Sequence, residues 1–128
     1  MCRIKTSLFT SIVMLLLPTW MQAQSYILNP GDSLMAVAQM NHGNVYNITQ
    51  QHMGADTLHF VWKKWMLTVP SSWEVSICDV GHCYTSLVDS SAMDPVYPGD
   101  DGLISLHLNP HLEAGTGIIQ VLFYEQHS

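Results

Sequence analysis

Positive charge is nearly missing from this chain, which carries four Lys and Arg against ten Asp and Glu. Two of those four, Arg3 and Lys5, stand ahead of an N-terminal apolar run, so only Lys63 and Lys64 serve the rest. With that N-terminal segment removed, two lysines face ten acids, a formal charge of −8. Phosphate backbones are bound by clustered Lys and Arg, so no nucleic acid is expected as a partner. An anionic membrane surface is disfavoured by the same sign, whereas bound cations or solubility through self-repulsion suit it.

Charge of either sign is scarce at 11% of residues, while 48% are apolar. That is a globular composition whose polar surface must come from Ser, Thr, Asn, Gln and His. Long hydrophobic runs are lacking too. Leu8 to Leu17 is broken by Thr10 and Ser11, and it falls short of the roughly 20 apolar residues a membrane span needs. Flanked by Arg3 and Lys5 before and Pro18 to Ala23 after, it has the three-part layout of a secretory signal peptide over 1-23. Cleavage between Ala23 and Gln24 is expected, giving a secreted or cell-surface domain over 24-128 with no stable membrane span.

Of three cysteines, Cys2 leaves with the leader. Cys78 and Cys83 remain, an even count in a compartment where disulfides persist, and Gly81 between them lets the chain turn so that one bridge closes. Equally absent are a G-x-S-x-G elbow, a phosphate-binding loop and a dinucleotide fingerprint, so no catalytic residues are assigned and the chain is not expected to be an enzyme.

What the chain does have is two-residue alternation, the period of half-buried strands. Tyr46 and Ile48 share a face of 44–50; Leu58, Phe60 and Trp62 share one of 57–63; Lys63-Lys64 then interrupts the pattern, which predicts a bulge or a strand end. Trp73, Val75 and Ile77 alternate with polar neighbours, as do Ile104, Leu106 and Leu108. The run from Ile118 to Tyr124 is apolar on both faces, which predicts a central or covered strand. Ser33 to Met40 alternates weakly and is read as a first edge strand, with a helix turn after an Asp32 cap as the alternative. Turn signals separate these runs, among them Gly54-Ala55-Asp56, Pro70-Ser71-Ser72, Pro98-Gly99-Asp100 and Gly115-Thr116-Gly117. About seven short strands and no helical period describe an all-β antiparallel sandwich.

Three features carry a resemblance: Leu58 to Trp62 followed by Val69-Pro70-Ser71-Ser72-Trp73; the compact Ile77 to Tyr84 segment; and Pro98-Gly99-Asp100 leading through Leu103 to Leu108 and Asn109-Pro110 to the Gly115-Thr116-Gly117 turn. Over 44–125 the chain resembles the immunoglobulin-like β-sandwich modules of secreted bacterial proteins that often precede a type IX secretion sorting domain. The resemblance implies a local Cys78 to Cys83 bridge, no cofactor, and a non-catalytic exported module used for binding, spacing or assembly at the cell surface. Its partner would be a protein or a glycan. Such modules usually continue through another strand and a sorting domain, so the final strand is missing by this comparison. A partner that adds a strand at the sheet edge would supply it.

Two further functions compete with that reading. Cys78, His82 and Met93 follow the donor types of a cupredoxin-like copper-binding electron carrier, although Cys83 would compete for the first sulfur as its disulfide partner in an oxidising compartment and the spacing is not that of a tight copper loop. Trp62, Trp65 and Trp73 are the residue type of a carbohydrate-binding module; core packing accounts better for Trp62 and Trp73, leaving Trp65, beside two lysines, as the exposed binding aromatic. The seven histidines form no tight ligand spacing, and Asp89, Asp94, Asp100 and Asp101, though suited to calcium, belong to no calcium-loop motif, so no metal ligands are assigned.

Overall fold

Leu58, Phe60 and Trp62, which the alternation aligns on one face, are all buried, and they meet Val75, Ile77, Ile104 and Leu108 from the opposite side. The computed structural model describes residues 25–126. Within it seven strands form: β1 (Tyr26–Asn29), β2 (Asn44–His52), β3 (Phe60–Thr68), β4 (Glu74–Asp79), β5 (Ser90–Ala92), β6 (Asp101–Asn109) and β7 (Ile118–Glu125). They pair antiparallel in a four-stranded sheet of order β1-β2-β6-β4 and a three-stranded sheet of order β5-β3-β7. The all-β sandwich expected from the alternation is the fold, with no helix among the described residues.

The inward rows explain the register. Tyr46, Leu106 and Ile77 stand side by side across β2, β6 and β4, so Leu106 has an apolar neighbour on both flanks, while Ile104 and Leu108 each have one, Ile48 and Val75. Sliding any of these strands by one residue would send its apolar row to solvent. From the other sheet come Phe60 and Trp62, at 1% and 0% exposure. Side chains of this size each contribute roughly 2–3 kcal/mol on full burial. Tyr26 and Phe123 close one flank, their rings packing on Phe60 at centroid separations of 4.9 Å and 4.6 Å.

One glycine in β6 is explained by its cross-strand partner. Gly102 faces Gln50, a buried residue whose Nε2 donates to the Ile48 carbonyl at 3.0 Å. A Cβ at position 102 would fall 2.6 Å from Gln50 Oε1, so a side chain there would have to displace the buried Gln50 amide.

Four sequence readings need revision or extension. The first edge strand is not Ser33 to Met40. It is β1, which takes the free edge of β2 with Tyr26 opposite His52 and Asn29 opposite Thr49. Pro30, without an N–H, ends that ladder, and residues 32–38 run on with no strand partner among the described residues. Next, β7 is neither central nor covered: it lies at the edge of the three-stranded sheet, with Ile118, Leu122 and Tyr124 exposed. The strand expected over 57–63 begins later and runs further, while Leu58 makes only an isolated bridge to Val96. Finally, β5 has a Ser-Ser-Ala sequence with no alternation to reveal it; its place is set by pairing with Val61 to Lys63. The signal peptide over 1-23 and Cys2 lie outside the described residues.

Candidate functional site

The bulge expected at the two lysines is present, one residue further on. Pairing of β3 with β7 passes from Lys64 opposite Val121 directly to Met66 opposite Gln120, so Trp65 is the extra residue. It is 69% exposed, as its place beside the lysines suggested. Lys64 folds back to Asp89, Nζ to Oδ1 3.0 Å, and its backbone N–H donates to the Asp89 carbonyl at 2.7 Å. Trp65 is thereby carried on an anchored bend in β3.

Around it lies the outer face of the three-stranded sheet. By register and alternation that face carries Val61, Lys63, Met66 and Thr68 from β3 and Ile118, Gln120, Leu122 and Tyr124 from β7. Met66, Ile118, Leu122 and Tyr124 are all exposed. Scattered apolar side chains are ordinary on a surface, but four on one sheet face, interrupted by Lys63 and Gln120, make this face a candidate interaction surface. The sequence signal was there, since both faces of 118–124 are apolar; its meaning depended on knowing that nothing in the described chain covers the outer one.

The second candidate region is the corner closed by the Cys78–Cys83 disulfide, whose Cα atoms stand 4.1 Å apart. Asp79, the last inward position of β4, is buried, and its Oδ2 accepts a hydrogen bond from the Trp62 indole, Nε1 to Oδ2 2.7 Å. Its other oxygen, Oδ1, has no hydrogen bond and faces the exposed His82 ring, with Nδ1 at 3.5 Å. The His82 ring stacks on Tyr84, whose hydroxyl hydrogen-bonds Ser91 of β5. Backbone bonds from Asp79 N to His82 O and from Tyr84 N to Ile77 O hold the turn. Asp79 was invisible as a special residue in sequence, because an acid at the end of an alternating strand reads as solvated.

For the copper reading this corner has a direct consequence. A blue-copper site needs a Cys thiolate, and the sulfur of Cys78 is bonded to Cys83. Among the described residues no group of three or more His, Cys, Asp and Glu side chains is placed to hold a metal ion. Three of the four acids considered for calcium do separate work: Asp89 pairs with Lys64, Asp94 packs on Gly81, and Asp101 Oδ1 accepts from His52 N at 3.3 Å. The three tryptophans also part company. Trp62 is core, Trp73 is half-buried with its indole N–H donating to the Glu113 carbonyl at 2.8 Å, and Trp65 alone of the three is exposed. No protein-family model, curated protein or solved structure matches this chain.

Proposed function

We propose that the protein is an exported, non-catalytic module of immunoglobulin-like type that acts in binding or assembly at the cell surface, through the outer face of β3 and β7. The observation that carries this reading is the exposed apolar set Met66, Ile118, Leu122 and Tyr124 on one sheet face, with the exposed Trp65 at the adjoining bulge. Support for the immunoglobulin-like assignment comes from strand order. In constant-type domains strands A, B, E and D share one sheet and C, F and G the other. The order β1-β2-β6-β4 matches A-B-E-D and the pair β3-β7 matches C-F; no described strand stands at the G position, and the short β5 beside β3 has no counterpart. The Cys78–Cys83 loop suits an oxidising compartment.

Expression with the native leader tests the exported module. Intact mass spectrometry of the released protein is expected to give a chain beginning at Gln24 and lighter by the two hydrogens that the bridge removes. A cytosolic product that retains residues 1–23 with both thiols reduced would contradict it. Carbohydrate is a second ligand class, favoured specifically by the exposure of Trp65. Binding to a glycan array that disappears in Trp65→Ala would establish it, because a planar aromatic stacked on a sugar ring cannot be replaced by a methyl group.

A further inference from the structure

Between β1 and β2 the backbone of residues 32–37 is held by nothing. The segment belongs to no strand and makes no hydrogen bond to any described residue. Its side chains stand in solvent, Leu34 and Ala36 exposed, Met35 at 98% and Val37 at 95%. Leu34-Met35-Ala36-Val37 also has no Gly, Pro, Asn or Asp that a turn would require.

The chain on each side of this run is tied down. Before it, Tyr26–Asn29 pairs with Thr49–His52, the Tyr26 ring packs on Phe60, the Ser25 hydroxyl donates to Glu125 Oε2 at 2.8 Å and the Ser25 carbonyl accepts from Met53 N at 2.9 Å. After it, Ala38 packs against the core, Gln39 N donates to Asn44 Oδ1 at 2.8 Å and the Met40 carbonyl accepts from Leu112 N at 2.8 Å. Movement of 32–37 therefore breaks no bond of the sandwich, which places this run at the low end of local stability.

An endopeptidase aligns its substrate as an extended strand through main-chain hydrogen bonds, so the backbone around the cut must be free of other partners. Exposure alone does not meet that condition. Trp65, Tyr97, Leu112 and Tyr124 are exposed as well, but Trp65 lies in β3, Tyr124 lies in β7, the Tyr97 carbonyl accepts from Asp100 N at 3.0 Å and Leu112 N donates to Met40. Among the exposed large apolar residues described, Leu34, Met35 and Val37 are the ones on an unbonded backbone.

We infer that residues 32–37 are a cleavage site of the folded domain, for an endopeptidase whose pocket takes a large apolar side chain, Leu34 or Met35, ahead of the bond. Water adds across that peptide bond, leaving a carboxylate on Leu34 or Met35 and an amine on the residue that follows. The product is one sandwich made of two chains. β1 loses its covalent link to β2 and keeps its ladder, its ring contacts and the Ser25 bonds, while the Cys78–Cys83 bridge lies wholly in the other piece. The site stands on this geometry, independently of the binding face of β3 and β7.

The test is digestion of the exported, bridged protein by a small amount of chymotrypsin under native conditions. A single early cut is expected after Leu34 or Met35, roughly a hundredfold faster than any cut at Trp65, Tyr97, Leu112 or Tyr124, because those need wider unfolding. Weighed after denaturation, the two pieces should sum to the parent plus one water. On a sizing column they should travel together in buffer and separate in urea. Leu34→Asp with Met35→Asp should slow the cut roughly tenfold or more and leave the urea midpoint unchanged, since both residues are exposed. A first cut elsewhere, a cut in 32–37 no faster than global unfolding, or a dimer that shields the run from the enzyme would overturn the site. Separation of the pieces in native buffer would overturn the two-chain product.

Discussion

Trp62 and Asp79 are joined across the two sheets by a buried hydrogen bond, Nε1 to Oδ2 2.7 Å, the indole from β3 and the carboxylate from β4. It ties the largest core side chain to the end of the strand that also carries Cys78. Removing the acceptor in Asp79→Ala strands a buried N–H and opens a small void. A loss of about 2–3 kcal/mol is expected in urea denaturation. Asp79→Asn, whose amide oxygen can still accept, should lose less. Equal stability of Asp79→Ala and the parent would show that the bond contributes nothing.

The neighbouring turn should be sensitive to a single methyl group. Gly81 has φ of 98°, in the left-handed region, and a Cβ there would run into the Asp94 carboxylate. Gly81→Ala combines backbone strain with that clash, so a destabilisation of about 2 kcal/mol is expected. Gly81→Ala with Asp94→Ala, by relieving the clash and leaving the strain, should recover part of the loss in a double-mutant cycle.

The bridge closes a short loop, its cysteines only five residues apart in sequence. Chain-entropy arguments for so small a loop give about 2 kcal/mol. The double variant Cys78→Ser with Cys83→Ser should therefore fold, with a lower denaturation midpoint and an unchanged β-type circular dichroism spectrum. Complete unfolding at room temperature would mean that the corner contributes more than loop closure.

Much of this fold was legible because alternation is a local signal. Trp73, Val75 and Ile77, or Ile104, Leu106 and Leu108, declare a face without reference to any other strand. What escaped were features set by neighbours. Ser90–Ala92 is a strand because Val61 to Lys63 lies beside it. Ser33 to Met40 has a strand-like pattern but pairs with no strand among the described residues, and only Thr49 to His52 of the neighbouring β2 edge is taken, by β1. The two apolar faces of Ile118–Glu125 were visible, but such a sequence suits a covered strand as well as an open one. Trp65 was found from its lysine neighbours, whereas Asp79 needed the third dimension.

Tyr26 supplies a pH dependence. Burial first, and the negative charge of Glu125 second, raise its pKa above the ordinary value of 10.0. The fold therefore favours the neutral phenol. That contribution is fully present below pH 10, the unfolded-state value, and is lost as pH rises through the folded-state one. Tyr26→Phe keeps the ring contacts with Phe60 and Phe123 and removes the ionisation. Alkaline denaturation followed by circular dichroism should show a flatter decline above pH 10 in the variant than in the parent. Parallel curves would place the alkaline sensitivity elsewhere.

Trp65→Ala separates surface function from stability. With Trp65 largely in solvent, the change should move the unfolding free energy by no more than about 0.5 kcal/mol. Its tryptophan emission should be lost from the red side of the spectrum, because the buried Trp62 emits further to the blue. A large stability loss would mean that the bulge depends on the indole.

The most direct measurement is amide hydrogen exchange, residue by residue, on the free exported protein at monomer concentration. β2 and β6 should be most protected where a strand pairs on each side of them, over Thr49 to Gln51 and Ile104 to Leu108. β7 should show protection only at the alternate amides that face β3, and residues 32–37 should exchange at nearly the rate of an unstructured chain. Uniform protection through both β7 and 32–37 in the free monomer would contradict this strand order, in which β7 has β3 as its one strand neighbour among the described residues.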